Sequence, residues 1–244
     1  MLSSSAYILS PFFSKTHSIE KILVEIAAEK PHTLIILETS GGVYPDGLTF
    51  IAPHTRKYHS SGTEIDFDRE LAGLIQSSLQ EYKMRHYVVD EADLPPEISS
   101  LMHRLSQITQ EPPRLILMNS SLFGAEEHYK VGTLIARALR ADAENISLLG
   151  VGALSARHDS KREHREIPAE KYDRNALQLL QGNELIRYLS IDPLDIEASQ
   201  DSLHKTLSTI LGVLEISEGR GEWQTYDYRV DGGIGRLAGK IRRI

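Results

Sequence analysis

Ten histidines and the absence of any cysteine set the chemistry open to this chain. Without a thiol, disulfides, thiolate nucleophiles and zinc–thiolate centres are excluded. Imidazole remains, as a metal ligand or as a proton carrier near neutral pH. The histidines stand at 17, 32, 54, 59, 86, 103, 128, 158, 164 and 204. No two of them form a His-x-His pair or an i, i+4 pair beside a carboxylate, the spacings that bring two imidazoles onto one ion. His158 and His164 lie in a run with Arg157, Lys161, Arg162 and Arg165, where neighbouring cations oppose a bound metal. His17 follows the first strand-like run, and His54 and His59 flank Arg56-Lys57. Ordinary surface or half-buried histidines are the expectation for the set. His158 is the one candidate for a relocated site, because it closely follows a strand.

Other reactive patterns are incomplete. Ser155, in Gly152-Ala153-Leu154-Ser155-Ala156, lacks the Gly-x-Ser-x-Gly frame of a nucleophile elbow. Gly232-Gly233-Ile234-Gly235 is too short and too late for a dinucleotide loop and reads as a turn between strands. Asp46, after Tyr44-Pro45, reads as a brace for a turn, and Gly41-Gly42 as a flexible turn.

The elements that must position these residues alternate. Ala6–Leu9 reads as a strand. Ser18 is placed to cap a helix whose Ile19, Ile22, Leu23, Ile26 and Ala27 form one apolar stripe ending before Pro31. Leu34-Ile35-Ile36-Leu37 is wholly apolar, the pattern of a strand covered on both faces. Strands are expected at Thr49–Ala52, Tyr87–Val89, Leu115–Met118 and Ile146–Val151. Helices are expected at Asp68–Tyr82, Glu97–Thr109, Glu126–Arg140, Tyr172–Gln181 and Leu203–Leu214. This alternation predicts an α/β fold of three layers, a mostly parallel central sheet flanked by helices. Ligands of such sheets sit beyond the carboxyl ends of the strands. Residues 10–16, 39–46, 119–124 and 152–158 should therefore wall any cleft. Residues 157–171 read as a surface loop.

Composition narrows the class. The chain has 244 residues, 41% of them hydrophobic, enough for one large domain over 1–244. The formal charge of -7 disfavours a nucleic-acid binder. The basic stretch 236–243 reads as a solvated tail or helix. No apolar run approaches the roughly 20 residues of a membrane span, and the first residues lack a basic, apolar leader, so a cytoplasmic protein is expected.

Four segments after these elements carry a further signal. Ser10-Pro11-Phe12-Phe13 follows the first strand, and Glu38-Thr39-Ser40-Gly41-Gly42-Val43-Tyr44-Pro45-Asp46 the second. Val151-Gly152-Ala153-Leu154-Ser155-Ala156 follows a later strand, and Tyr172-Asp173-Arg174-Asn175-Ala176-Leu177-Gln178-Leu179-Leu180 lies on a helix. Together they resemble the LigB-type family of class III extradiol ring-cleavage dioxygenases. Members carry Pro-His-Pro, Ser-Pro-His-Gly-Pro-Val-Phe-x-Asp, Ser-Gly-Asp-Leu-Ser-His and Phe-Asp-x-x-Ile-x-x-Leu-Leu at these places. The spacing around Asp192-Pro193 and Leu211-Gly212-Val213-Leu214 also agrees.

The resemblance implies an Fe(II) site in which two imidazoles and one carboxylate hold one face of the ion and leave the other open. A further His would move a proton at the ring hydroxyl. In this chain the two His ligand positions match Phe12 and Ser40, the carboxylate position matches Asp201, and the later His position matches Ala156. Residues 87–102, where members have an Asp-His-Gly turn, contain no His. The expectation is therefore a degenerate member without Fe(II) ring cleavage, with no assigned catalytic residue and no cofactor. It would serve in complex with a partner chain, as a homodimer, or as a binder of a small aromatic ligand in the old cleft. The alternative is an active non-haem Fe(II) enzyme opening an aromatic diol with relocated ligands such as His158 and Asp201.

Overall fold

The structure, a computed structural model, describes residues 2–10, 17–38, 44, 46–60, 63–119, 124–140, 145–156, 169–216 and 220–244. An eight-stranded sheet forms its centre. The strands are β1 (Leu2–Leu9), β2 (Thr33–Glu38), β3 (Leu48–Ile51), β6 (His86–Val89), β7 (Arg114–Asn119), β8 (Ile146–Val151), β9 (Gly221–Asp231) and β10 (Ile234–Arg243). Their order is β6-β3-β7-β2-β8-β1-β10-β9. Strands β7, β2, β8 and β1 run parallel, and β3, β10 and β9 add antiparallel pairings. A small hairpin, β4 (Lys57–Ser60) with β5 (Thr63–Asp66), stands apart.

The parallel core follows from composition. All six residues of β2 are buried, as expected of a strand with a parallel neighbour on each side and helices over both faces. One face carries α1 (His17–Glu29) and α3 (Pro96–Ile108), packed on Ile36, Leu117 and Leu149. The other carries α2 (Arg69–Glu81), α4 (Ala125–Leu139), α5 (Ala169–Gln181) and α8 (Leu203–Val213), packed on Ile35, Ile116 and Leu148. Two short helices, α6 (Leu185–Leu189) and α7 (Pro193–Ser199), join α5 to α8.

Local signals explain most boundaries. Asp68 caps α2, accepting from Leu71 N–H at 3.0 Å, and Asp192 caps α7 ahead of Pro193. The stripe Ile19, Ile22, Leu23 and Ile26 is buried as its spacing predicts. Ser18 departs from expectation: it lies inside α1, and its hydroxyl donates to Asp227 at 3.3 Å rather than capping the helix.

The basic C-terminal stretch is a second correction. It is neither tail nor helix but β10, an interior strand between β1 and β9. Gly232 and Gly233, both at positive φ, make the turn from β9. Leu237, Ala238 and Ile241 are then buried in the sheet. The cations lie along it on acids: Lys240 on Glu25 at 2.9 Å, and Arg242 on Glu222. A charge count over this stretch hides its alternating apolar residues.

Candidate functional site

The carboxyl edge of the parallel strands ends in a polar row. Glu38 pairs with Asn119 and with Val151, and Asn119 pairs with Thr49 of the antiparallel β3. Glu38, Asn119 and Thr49 are all buried, and Glu38 and Asn119 close the apolar runs of β2 and β7. This is where an open α/β sheet holds its ligands. Beside it, Asp46 accepts from Tyr87 Oη at 2.8 Å and from Arg85, and Tyr44 stacks on Tyr87 with centroids 4.1 Å apart. Asp46 thus braces its turn as expected.

The β8 end is stitched to the start of α8. Ala153 N–H donates to Ser202 Oγ at 2.8 Å, and the N–H groups of Ser202 and Leu203 both donate to Ala153 O at 3.0 Å. Gly152 is required here, since a Cβ would lie 2.9 Å from Leu203 Cα. These contacts seat Asp201 beside the strand end.

Asp201 is only 4% exposed, and its carboxylate is fully engaged. Oδ2 accepts from Tyr172 Oη at 2.6 Å and from Tyr188 Oη at 2.9 Å. Oδ1 accepts from His204 N–H at 2.9 Å, holding the first turn of α8. Burial pushes the Asp201 carboxyl up to about 7, against the three hydrogen bonds that favour its charged form and with the repulsion of Asp173. Burial and the Asp201 charge hold the hydroxyls of Tyr172 and Tyr188 protonated far above the usual range. The His204 ring does not face Asp201's oxygens: Nε2 contacts Tyr188 O at 3.1 Å, and burial lowers the ring to about 4. It is therefore neutral and donates to that carbonyl.

Asp173 is the second buried acid, 1% exposed. Its Oδ2 accepts from Ser155 Oγ at 2.9 Å and Tyr228 Oη at 2.6 Å. A Cβ on Gly235 would lie 2.2 Å from the same oxygen. Tyr228 reaches it because a register shift between Ala238 and Gly239 places an extra residue in β9. Tyr226, the extra residue itself, instead turns to α1 and donates to Glu25 at 2.8 Å.

Of the sequence-selected positions, Ala156 is exposed, offers no donor side chain, and ties its N–H to Ser199 O at 2.9 Å. Phe12, Ser40 and His158 lie outside the described residues. Among the described residues, no three His, Cys, Asp or Glu side chains gather as a metal site. Asp201 is taken up by structural donors, with two tyrosine hydroxyls on Oδ2 and one amide on Oδ1, and no His, Asp or Glu side chains join it as a three-ligand set among the described residues. The other histidines make local contacts, His54 with Asp90, His59 with Asp93, and His128 with Thr209. Sequence reasoning missed Tyr172, Tyr188 and Asp173 as partners of this site. One signal was available: Tyr172 stands at a Phe position of the resembled motif, and the added hydroxyl is the group that binds Asp201.

Comparison with known proteins agrees with this architecture. The uncharacterized protein JW3007 from Escherichia coli K12 is similar over 97% of this chain and 98% of its own, with a TM-score of 0.63 at 12% identity, a likeness of fold. No curated protein matches. Residues 10–235 match the model of the family described as the catalytic LigB subunit of aromatic ring-opening dioxygenase. The chain belongs to the LigB family of aromatic ring-opening dioxygenases.

Proposed function

We propose that this chain is a LigB-family protein without Fe(II) ring-cleavage activity, serving as a subunit or as a binder of a small ligand in the former cleft. The observation that carries this reading is the state of Asp201. A carboxylate that ligates iron points its oxygens toward the ion and toward the other ligands. Asp201 instead receives Tyr172, Tyr188 and the His204 amide, at 2.6, 2.9 and 2.9 Å. A metal that displaced any one of these donors would cost about 1.5–3 kcal/mol before a bond to the ion forms. Three substitutions support the same reading: Phe12, Ser40 and Ala156 stand at the family's His positions. Phe and Ala have no donor atom, and Ser is a poor ligand for Fe(II).

The ligand-binding part of this reading rests on position, since open α/β sheets take ligands beyond the carboxyl ends of their strands. Glu38, Asn119 and Thr49 line one row at the sheet edge, with the stacked Tyr44 and Tyr87 near it. The test is anaerobic loading of the purified chain with Fe(II), followed by measurement of bound iron and of catechol turnover in air. The expected result is no stoichiometric iron and no ring-opened product. Stoichiometric iron that disappears in His158→Ala would establish the relocated-ligand enzyme in its place.

A further inference from the structure

Strand β9 ends the sheet, and its outer side is legible from the pairing of β10. Ser10 N–H donates to Leu237 O at 2.9 Å, and Leu237 N–H to Ser10 Oγ at 2.8 Å. Leu154 N–H donates to Gly235 O, and Gly235 N–H to Ser155 O, both at 2.9 Å. The backbone groups of Gly235 and Leu237 therefore face β1 and β8. Those of the alternate residues Arg236 and Ala238 face β9, where they meet Arg229 and Asp227. It follows that the N–H and C=O of Tyr228 and Val230 point outward. No described residue hydrogen-bonds these groups. Further back on the same edge, Asn183 Oδ1 accepts from Trp223 N–H at 2.7 Å and closes that end.

An outward ladder of this kind is a template for another strand. The side chains on it choose which. We propose that β9 pairs antiparallel with β9 of a second copy of this chain, about a two-fold axis through Tyr228. In this register each Tyr228 meets its counterpart as a hydrogen-bonded pair. Each Asp227 then faces Arg229 of the other copy at a non-hydrogen-bonded position, where strands approach most closely. Moving the axis by one residue sets Arg229 on Arg229 or Asp227 on Asp227, so like charges reject both neighbouring registers. Tyr226, the extra residue of β9, limits the ladder to the segment around Tyr228. A closed two-fold also removes the exposed edge that a β-rich surface would otherwise present. The interface stands whether or not the chain binds iron, so the iron experiment and this one fail separately.

Sedimentation velocity of the full chain between about 1 and 100 μM tests it. The wild-type chain should pass from monomer to dimer across that range. Asp227→Arg and Arg229→Asp should each weaken the dimer at least about tenfold, since two attractions become two repulsions. The double variant Asp227→Arg/Arg229→Asp restores opposite charges and should return the affinity to within about threefold. Thermal unfolding checks that each variant folds. Hydrogen exchange on the wild-type chain needs no variant: protection of the Tyr228 and Val230 amides should rise with concentration. A monomer at all concentrations, a dimer indifferent to the single reversals, a double variant that stays monomeric, or unchanged amide protection would each overturn the proposal.

Discussion

Asp201 and His204 sit three residues apart and are buried in opposite senses. The folded state raises the Asp201 carboxyl to about 7 and lowers the His204 ring to about 4. For Asp201 the folded value exceeds the unfolded one, so the stability it contributes is complete below about pH 4 and is lost as pH rises toward 7. For His204 the folded value is depressed, so its contribution is complete above about 6.5 and is lost as pH falls toward 4. The two slopes oppose each other within one window. Thermal and chemical unfolding between about pH 4 and 7 should expose them one at a time. Relative to wild type, Asp201→Asn should gain up to about 4 kcal/mol as pH rises through the window, and His204→Gln should lose about 3 kcal/mol. Parallel stability curves for wild type and either variant would contradict this assignment. Tyr172→Phe tests the hub by removing one of its hydroxyls. It leaves Asp201 short of one donor and should cost about 1–3 kcal/mol, and a change under about 0.5 kcal/mol would show that Tyr172 does not hold the hub.

At the scale of elements, α4 and α8 cross through glycines. A Cβ on Gly132 would lie 2.1 Å from Thr209 O, and one on Gly212 2.1 Å from Tyr129 O. No rotamer relieves a clash with backbone, so the helices must separate. Gly132→Ala and Gly212→Ala should each lower stability by about 1–3 kcal/mol in denaturant titration, although alanine is the better helix former. A neutral effect of either would show that the crossing is looser than described. Elements of this kind are largely readable from the sequence. The apolar run 34–37 and the stripe of α1 have one strong period each, and both form as their spacing predicts. The turn at 232–235 is legible from its glycines, yet β10 beyond it is not. Its apolar residues alternate with Arg236, Lys240 and Arg242, whose cations meet Asp231, Glu25 and Glu222 only once β9 and α1 are in place. A local charge count cannot anticipate partners that distant. The hairpin of β4 and β5 and the short helices α6 and α7 have no long period to reveal them. The site is half legible. Asp201 is identifiable through the resemblance, but its tyrosine partners come from two helices and depend on how α5, α6 and α8 converge.

The whole molecule keeps the family's α/β scaffold. The family match runs over residues 10–235, which include the parallel strands, the stitching of β8 to α8 and the helices on both faces. Asp201, which the resemblance matches to a carboxylate ligand, is the centre of a buried network joining α5, α6 and α8. On the proposed reading, the network supplies structure where relatives of the resembled pattern place a reactive ion. No helix among the described residues is long and apolar enough to cross a membrane. The most direct test of the central claim is iron stoichiometry after anaerobic Fe(II) loading, read on the same sample as catechol turnover. The expected result is substoichiometric iron, removed by a desalting column, and no ring-opened product. One tightly held iron per chain with turnover of a catechol would contradict it.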